Sequence, residues 1–214
     1  YYNDYKRYEK RVPTGLAIKH SLANKLVLSK FRGIFGGRIN FMPCGGAPMS
    51  SDIIGFFHAV GLNVKMGYGL TETMATVCLY GDTQMDFNTT GNPLIGTQIK
   101  IGENDEIMVK GHGVMRGYYK KPEATEEVMK DEWFCTGDAG KINENGSLII
   151  TDRIKDLMKT SGGKYIAPQK LETSLVNDQY IEQVAVIGDC RKYVSALVVP
   201  AIAPLQQYAI QQNI

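Results

Sequence analysis

Hydrophobic residues recur along this chain with two different periods, and the places where the period changes divide it into segments. Leu22, Leu26 and Val27 recur at helical spacing through residues 21–30, after the turn signal Pro13-Thr14-Gly15. Gly36-Gly37 breaks that pattern. The alternation Arg38-Ile39-Asn40-Phe41-Met42, stopped by Pro43, predicts a short strand. Cys44-Gly45-Gly46-Ala47-Pro48 reads as a loop, and Ser50 or Ser51, with Asp52 following, caps a helix through Ile53, Ile54, Phe56 and Phe57 that ends near Gly61. A second strand comes next, over Leu62, Val64 and Met66, so residues 1–80 contain a strand, a crossover helix and a parallel strand.

From about residue 81 the pattern shortens to alternating runs between turn residues. Gln98–Ile101 and Glu106–Val109 flank Gly102-Glu103-Asn104-Asp105, and Lys141-Ile142 and Ser147–Ile150 flank Asn143-Glu144-Asn145-Gly146; both predict hairpins, the second on the strong Asn-Gly signal. Pro122 opens a short helix with early glutamates, Glu123, Glu126 and Glu127, as the helix dipole prefers. Beyond Asp156 an amphipathic helix starts at Pro168 and runs through Leu175 and Val176, and strands are predicted over Ile181–Ile187 and Val194–Val199. The expected fold is therefore α/β: a parallel α/β segment (1–80), a small antiparallel β-barrel-like subdomain (81–155), and a small α+β C-terminal domain (156–214).

The stretch with the most chemistry is Gly67-Tyr68-Gly69-Leu70-Thr71-Glu72-Thr73, which reads as a strand, a glycine-rich turn and a helix start. Tyr68 offers a flat face, Thr71 a hydroxyl at a helix N-terminus suited to phosphate, and Glu72 a carboxylate suited to magnesium. The same spacing equally fits an ordinary turn with Tyr68 in the core, because a lone Gly-x-Gly is a weak signal. Parallel strands joined by a crossover end on one sheet edge, so the Gly45–Pro48 loop and the Tyr68 turn are expected to be neighbours where open α/β sheets bind ligands. Gly45-Gly46 by itself is more simply a tight turn.

Asp138, after Thr136-Gly137, is expected in a turn, where its carboxylate either accepts from ribose hydroxyls or, more commonly, holds its own backbone in an Asx turn. Arg153, in Asp152-Arg153-Ile154-Lys155-Asp156, has a planar fork suited to phosphate or ribose oxygens, within what is by default a solvated charge run. Thr160-Ser161-Gly162-Gly163-Lys164 lacks the first glycine and the final hydroxyl of a Walker loop, which excludes that reading.

Composition adds bounds rather than chemistry. The 214 residues suffice for one sizeable domain or two small ones, and 43% hydrophobic with 21% charged residues is ordinary for a globular chain. A net charge of +2, without a basic cluster interleaved with aromatics, gives no reason to expect nucleic acid. Cys44, Cys78, Cys135 and Cys190 are scattered, which predicts buried free thiols rather than zinc ligands or disulfides. The longest apolar run, Ala196–Leu205, is broken by two prolines and falls far short of the ~20 residues of a membrane span. The opening Tyr1-Tyr2-Asn3-Asp4 and a close at Ile214 within a helical pattern suggest a piece of a longer protein.

Taken together, the motifs resemble those of the AMP-forming acyl-CoA synthetases of the adenylate-forming superfamily, most of all its long-chain fatty-acid branch. The resemblance rests on Gly67–Thr73, on Gly111-x-Gly-Val-Met-x-Gly-Tyr118-Tyr119, on Phe134-x-Thr136-Gly137-Asp138, and on Asp152-Arg153-x-Lys155-Asp156 with Ser161-Gly162-Gly163 and Glu172, in the family's order. It implies that Gly46, Ala47 and Pro48 line an adenine pocket, with Tyr68 on the base and Gly69 beside it. Thr71 would hold the α-phosphate and Glu72 the magnesium; Asp138 would bind the ribose hydroxyls and Arg153 ribose or phosphate oxygens. Lys155 stands at the family's hinge, and Gly162 and Gly163 would line the path of the pantetheine arm. The implied substrates are a fatty acid, ATP and coenzyme A, with Mg2+. The implied location is the cytoplasm, with peripheral membrane contact compatible with such a substrate. Two departures stand out: the family's phosphate loop with its lysine is absent, and so is its adenylation lysine, since no lysine or arginine follows Lys192. The alternatives are an adenylation domain that loads a carrier protein and an inactive nucleotide-binding module.

Overall fold

A computed structural model of the chain describes residues 5, 10–82 and 85–213; the terminal stretches Tyr1–Asp4 and Ile214, on which the expectation of a longer protein partly rests, lie outside them. The architecture is mixed α/β with several small sheets. Helix α1 (Thr14–Ala23) passes through a π-helical stretch (Asn24–Leu28) into α2 (Ser29–Gly33), so the helix is longer than its apolar spacing predicts. Pro13 is its N-cap rather than part of a turn, as a residue without an N–H readily is at a helix start. The stripe that announces this helix, Leu22, Leu26 and Val27, stays 57–61% exposed.

Strand β1 is Met42–Cys44, not the expected Arg38–Met42. The register is decided by pairing with β2 (Val64–Tyr68), which sets Met42 against Val64 and Cys44 against Met66 in parallel. Pro43 is tolerated inside the strand because β1 lies at the edge of its sheet and needs no second ladder partner. Between these strands lies α3 (Ser51–Val60), capped by Ser50, whose hydroxyl accepts from the Asp52 amide at 3.3 Å, and closed by left-handed Gly61. Arg32 of α2 donates to the Val60 carbonyl at 2.7 Å and so ties the first helix to the end of α3.

The sheet continues antiparallel through β3 (Cys78–Leu79) and β4 (Asn92–Pro93), giving the order β1-β2-β3-β4. Next comes an antiparallel five-stranded sheet: β5 (Thr97–Ile101), β6 (Glu106–Gly111), β7 (Met129–Lys130), β8 (Trp133–Ile142) and β9 (Leu148–Arg153). Both expected hairpins are present, as β5–β6 and β8–β9. Asn143 holds the second turn by accepting from the amides of Asn145 and Ser147. Helix α4 (Pro122–Val128) opens on its proline.

The two sheets share one core. Tyr68, Val77 and Cys78 of the first pack with Ile107, Val109 and Leu148 of the second, all buried. A separate cluster, Ile54, Met66, Tyr80 and Met85, seats α3 on β2. The chain then forms a small hairpin of β10 (Met158–Lys159) and β11 (Tyr165–Ile166), helix α5 (Pro168–Val176), the antiparallel pair β12 (Ile181–Ile187) and β13 (Ser195–Pro200), and helix α6 (Ile202–Gln212). Helix α5 is pinned to β12 by Glu172, which accepts from the Val186 amide at 2.8 Å.

Candidate functional site

The site is assembled where β2 ends. The loop after β1 lies against it: a Cβ on Gly45 would stand 3.0 Å from the Gly67 carbonyl oxygen, so the Gly45–Pro48 loop and the Tyr68 turn are neighbours. Gly46, Ala47 and Pro48 are exposed beside it. Past Tyr68 the chain turns so tightly that a Cβ on Gly69 would overlap the Ala75 carbonyl oxygen, 1.4 Å away.

The segment after Gly69 does not form the expected helix. Thr71–Thr73 is a single 3-10 turn, after which Met74 and Ala75 adopt left-handed conformations and the chain returns as β3. The turn is closed locally, since the Thr73 and Ala75 amides both donate to the Leu70 carbonyl and Leu70 N–H donates to Thr73 Oγ1. With no helix there is no macrodipole for a phosphate to meet, and Thr71 contributes an exposed hydroxyl in a tight turn. Beyond the turn, Cys78 and Leu79 pair with Tyr68 and Gly67 as a strand.

Tyr68 is buried, and its hydroxyl donates to Asp138 Oδ2 at 2.6 Å across 70 residues of sequence. Burial, and then the bond to Asp138, raise its phenol well above the ordinary range, so it stays a donor. Asp138 does not occupy a turn. It lies within β8 at an irregularity in the pairing with β6, where Gly137 has a φ of +73°. The Asp138 amide donates to Thr136 Oγ1, whose own proton goes to the Ile107 carbonyl. Directly across the ladder is Arg153, whose Nε donates to Asp138 Oδ1 at 3.3 Å. The carboxylate therefore carries one bond on each oxygen, and an ionised carboxylate can accept about four, which leaves capacity for two hydroxyl donors.

Glu72 is half-buried, with its Oε1 accepting from the Tyr118 hydroxyl at 2.8 Å and its carbonyl accepting from the Met115 amide at 2.7 Å. Tyr118 is raised from the ordinary phenol value by that bond first, then by burial and by the Glu72 charge. No cluster of three metal-ligating side chains occurs among the described residues, and Glu72 is the one carboxylate of this turn. Such a donor set fits magnesium only in the manner in which that ion accompanies a nucleotide, with one or two carboxylates and the remaining positions filled by phosphate and water.

Other residues singled out in the sequence lie apart from these contacts. Lys155 is exposed in a 3-10 turn (Ile154–Asp156) two residues after Arg153. Gly162 and Gly163 form the exposed turn between β10 and β11. No hydrogen bond joins Lys155, Gly162 or Gly163 to Tyr68, Asp138 or Glu72 among the described residues. The cysteines are free thiols; Cys78 is pushed up to about 12 by burial, whereas Cys190 is exposed, against the expectation of buried thiols throughout. An open groove of about 400 Å³ between α3 and Asn177 shares no residue with the site.

Sequence reasoning gives no role to Tyr118, Thr136 or Asp152. The first two act through partners 46 and 29 positions away, which no local pattern encodes. Asp152 is buried, with Oδ1 accepting from the Arg153 amide and Oδ2 without a partner. Burial, opposed by that amide and reinforced by Asp156 and Glu172, raises its carboxyl.

Comparison with known proteins places the chain in a family. The family described as AMP-binding enzyme matches residues 8–119. Among solved structures, an o-succinylbenzoate-CoA synthetase of Bacillus subtilis in complex with AMP superposes with a TM-score of 0.69 at 28% identity, over 81% of this chain and 39% of that one. Among curated relatives, a long-chain-fatty-acid–CoA ligase of Mycobacterium bovis is 37% identical over 86% of this chain, and a long-chain acyl-CoA synthetase of Arabidopsis thaliana is 38% identical over 88%. A human long-chain-fatty-acid–CoA ligase is 34% identical over 95%. The fold matches that of adenylate-forming enzymes, and the chain belongs to the AMP-binding enzyme family. It spans 30–31% of the length of these curated relatives.

Proposed function

We propose that this chain is the adenosine-binding part of an AMP-forming ligase that activates a long-chain fatty acid as its acyl-adenylate and passes the acyl group to coenzyme A. The observation that carries the reading is the convergence of Tyr68, Asp138 and Arg153 through direct hydrogen bonds, beside the Gly45–Pro48 loop. Identity of 34–38% to proteins named as long-chain ligases favours that acid class.

In this reading the Gly46-Ala47-Pro48 backbone meets the adenine edge beside Gly69. Tyr68, whose ring lies in the core rather than open to a base, fixes Asp138 through its hydroxyl. Asp138 accepts from the ribose hydroxyls and Arg153 adds a charged donor beside them. A fatty-acid carboxylate attacks the α-phosphate and displaces pyrophosphate; the coenzyme A thiol then attacks the acyl carbon and AMP leaves. The chain's task is to position the reactants and offset charge. Thr71 presents its hydroxyl to the α-phosphate. Magnesium, held by Glu72 and the phosphates, would neutralise charge on the triphosphate. Lys155 serves as the hinge between residues 81–155 and a mobile unit of residues 156–214, and Gly162 and Gly163 leave room for the pantetheine arm.

The exposed stripe Leu22, Leu26 and Val27 supports placing the chain within a longer enzyme, since contiguous exposed apolar surface marks a packing or binding face. No helix among the described residues is long and apolar enough to cross a membrane, and we place the enzyme in the cytoplasm with peripheral contact to membranes that hold its substrate. The test is AMP release by the full-length protein with a long-chain fatty acid, ATP and coenzyme A. Release that depends on both acid and thiol is expected. ATP binding without AMP release would favour an inactive nucleotide-binding module instead. The 214 residues alone, which carry no lysine or arginine after Lys192, are expected not to support fatty-acid-dependent pyrophosphate exchange.

A further inference from the structure

We propose that Tyr118 is a positioning residue for Glu72: its hydroxyl holds the Glu72 carboxylate in the orientation in which the second oxygen meets a nucleotide-bound divalent cation. This rests on the nucleotide reading of the site.

Glutamate has three side-chain torsions, and a carboxylate in a surface turn is free to rotate among several orientations unless something holds it. Here two segments far apart in sequence close on one residue. The Met115 amide donates to the Glu72 carbonyl at 2.7 Å and the Tyr118 hydroxyl donates to Oε1 at 2.8 Å. The loop is pressed against the turn so closely that a Cβ on Gly113 would stand 3.0 Å from the Thr73 carbonyl oxygen. Oε2 has no hydrogen-bond partner among the described residues, so one oxygen is anchored and the other is left for a ligand.

Tyr118 is itself anchored from behind. Its amide donates to Thr125 Oγ1 at 2.9 Å, and that hydroxyl donates at 2.9 Å to the carbonyl of Lys121, the N-cap of α4. Gly117 permits the approach: its φ is +147°, and a Cβ there would lie 2.7 Å from Thr125 Cγ2. The order of support is thus α4, Thr125, Tyr118, Glu72. Outer residues of this kind orient a ligating carboxylate without touching the ion, and their loss typically weakens metal binding about 10-fold or more.

The experiment titrates the full-length protein with Mn2+ in the presence of a non-hydrolysable ATP analogue, following free Mn2+ by electron paramagnetic resonance. AMP affinity without metal is measured on the same samples. Tyr118→Phe, which keeps the ring and removes the donor, is expected to weaken Mn2+ binding about 10-fold and to leave AMP affinity unchanged. Thr125→Val is expected to move Mn2+ binding in the same direction by less. A purely structural role would lower both affinities together, and that result overturns the proposal. So does Mn2+ binding unchanged by Tyr118→Phe with AMP binding intact. Failure of the unsubstituted protein to bind AMP at all overturns the nucleotide reading and this inference with it, and is distinguishable from the other results.

Discussion

Gly69 has no room for a side chain, because the Ala75 carbonyl oxygen occupies the space a Cβ would need. The clash involves backbone on both sides, and neither can yield without opening the turn that carries Glu72. Gly69→Ala is therefore expected to cost about 3 kcal/mol or more, read as a lower denaturation midpoint. Asp152 poses the opposite problem, a buried carboxylate with one oxygen unpartnered and Asp156 and Glu172 nearby. Its carboxyl is raised in the folded chain, so between the ordinary value and the raised one the folded state binds more protons than the unfolded. Stability contributed by this group is then present at low pH and is lost as pH rises through that window. Asp152→Asn is expected to be more stable than the unsubstituted chain at pH 7, with the advantage fading toward pH 4, as denaturant titrations at the two pH values will show. Alkylation of the native chain is expected to label exposed Cys190 and to spare Cys78, whose thiol is buried and raised to about 12.

Elements with local causes were legible in the sequence. The Asn143–Gly146 hairpin comes from a turn that Asn143 holds by itself, and α3 from Ser50 at one end and Gly61 at the other. Replacing Ser50 by alanine removes that cap and is expected to lower stability by about 1 kcal/mol, measurable by chemical denaturation. Elements decided by partners were misplaced. The alternation at Arg38–Met42 reads as a strand, yet β1 begins at Met42 because pairing with Val64–Met66 selects which residues extend. Thr71 reads as a helix start, yet only a 3-10 turn forms there, and the chain reverses through left-handed Met74 and Ala75 so that Cys78 and Leu79 pair with Tyr68 and Gly67. Asp138 reads as a turn residue because of the glycine before it, whereas that glycine marks an irregularity inside β8. The same distinction applies at the site. The types of Tyr68, Asp138, Arg153 and Glu72 announce what each can do, but the bonds they make span 70, 15 and 46 residues, and only the tertiary fold brings those partners together.

Across the whole molecule, the shared core of Tyr68, Val77, Cys78, Ile107, Val109 and Leu148 explains how two sheets present one site. It holds the end of β2 against β6 and β9, so Asp138 reaches Tyr68 from the second sheet with Arg153 alongside. The proposed function makes the Tyr68–Asp138–Arg153 cluster a receptor for the adenosine of a nucleotide, with Asp138 as its ribose acceptor. Calorimetric titration of AMP into the full-length protein and its Asp138→Asn form tests this most directly. Asparagine keeps the shape and can still accept from Tyr68, but it removes the charge and one acceptor. Binding at least about 10-fold weaker in the variant, about 1.4 kcal/mol, in samples that remain folded at the temperature of the titration is the predicted result; equal affinity in the two proteins would contradict it.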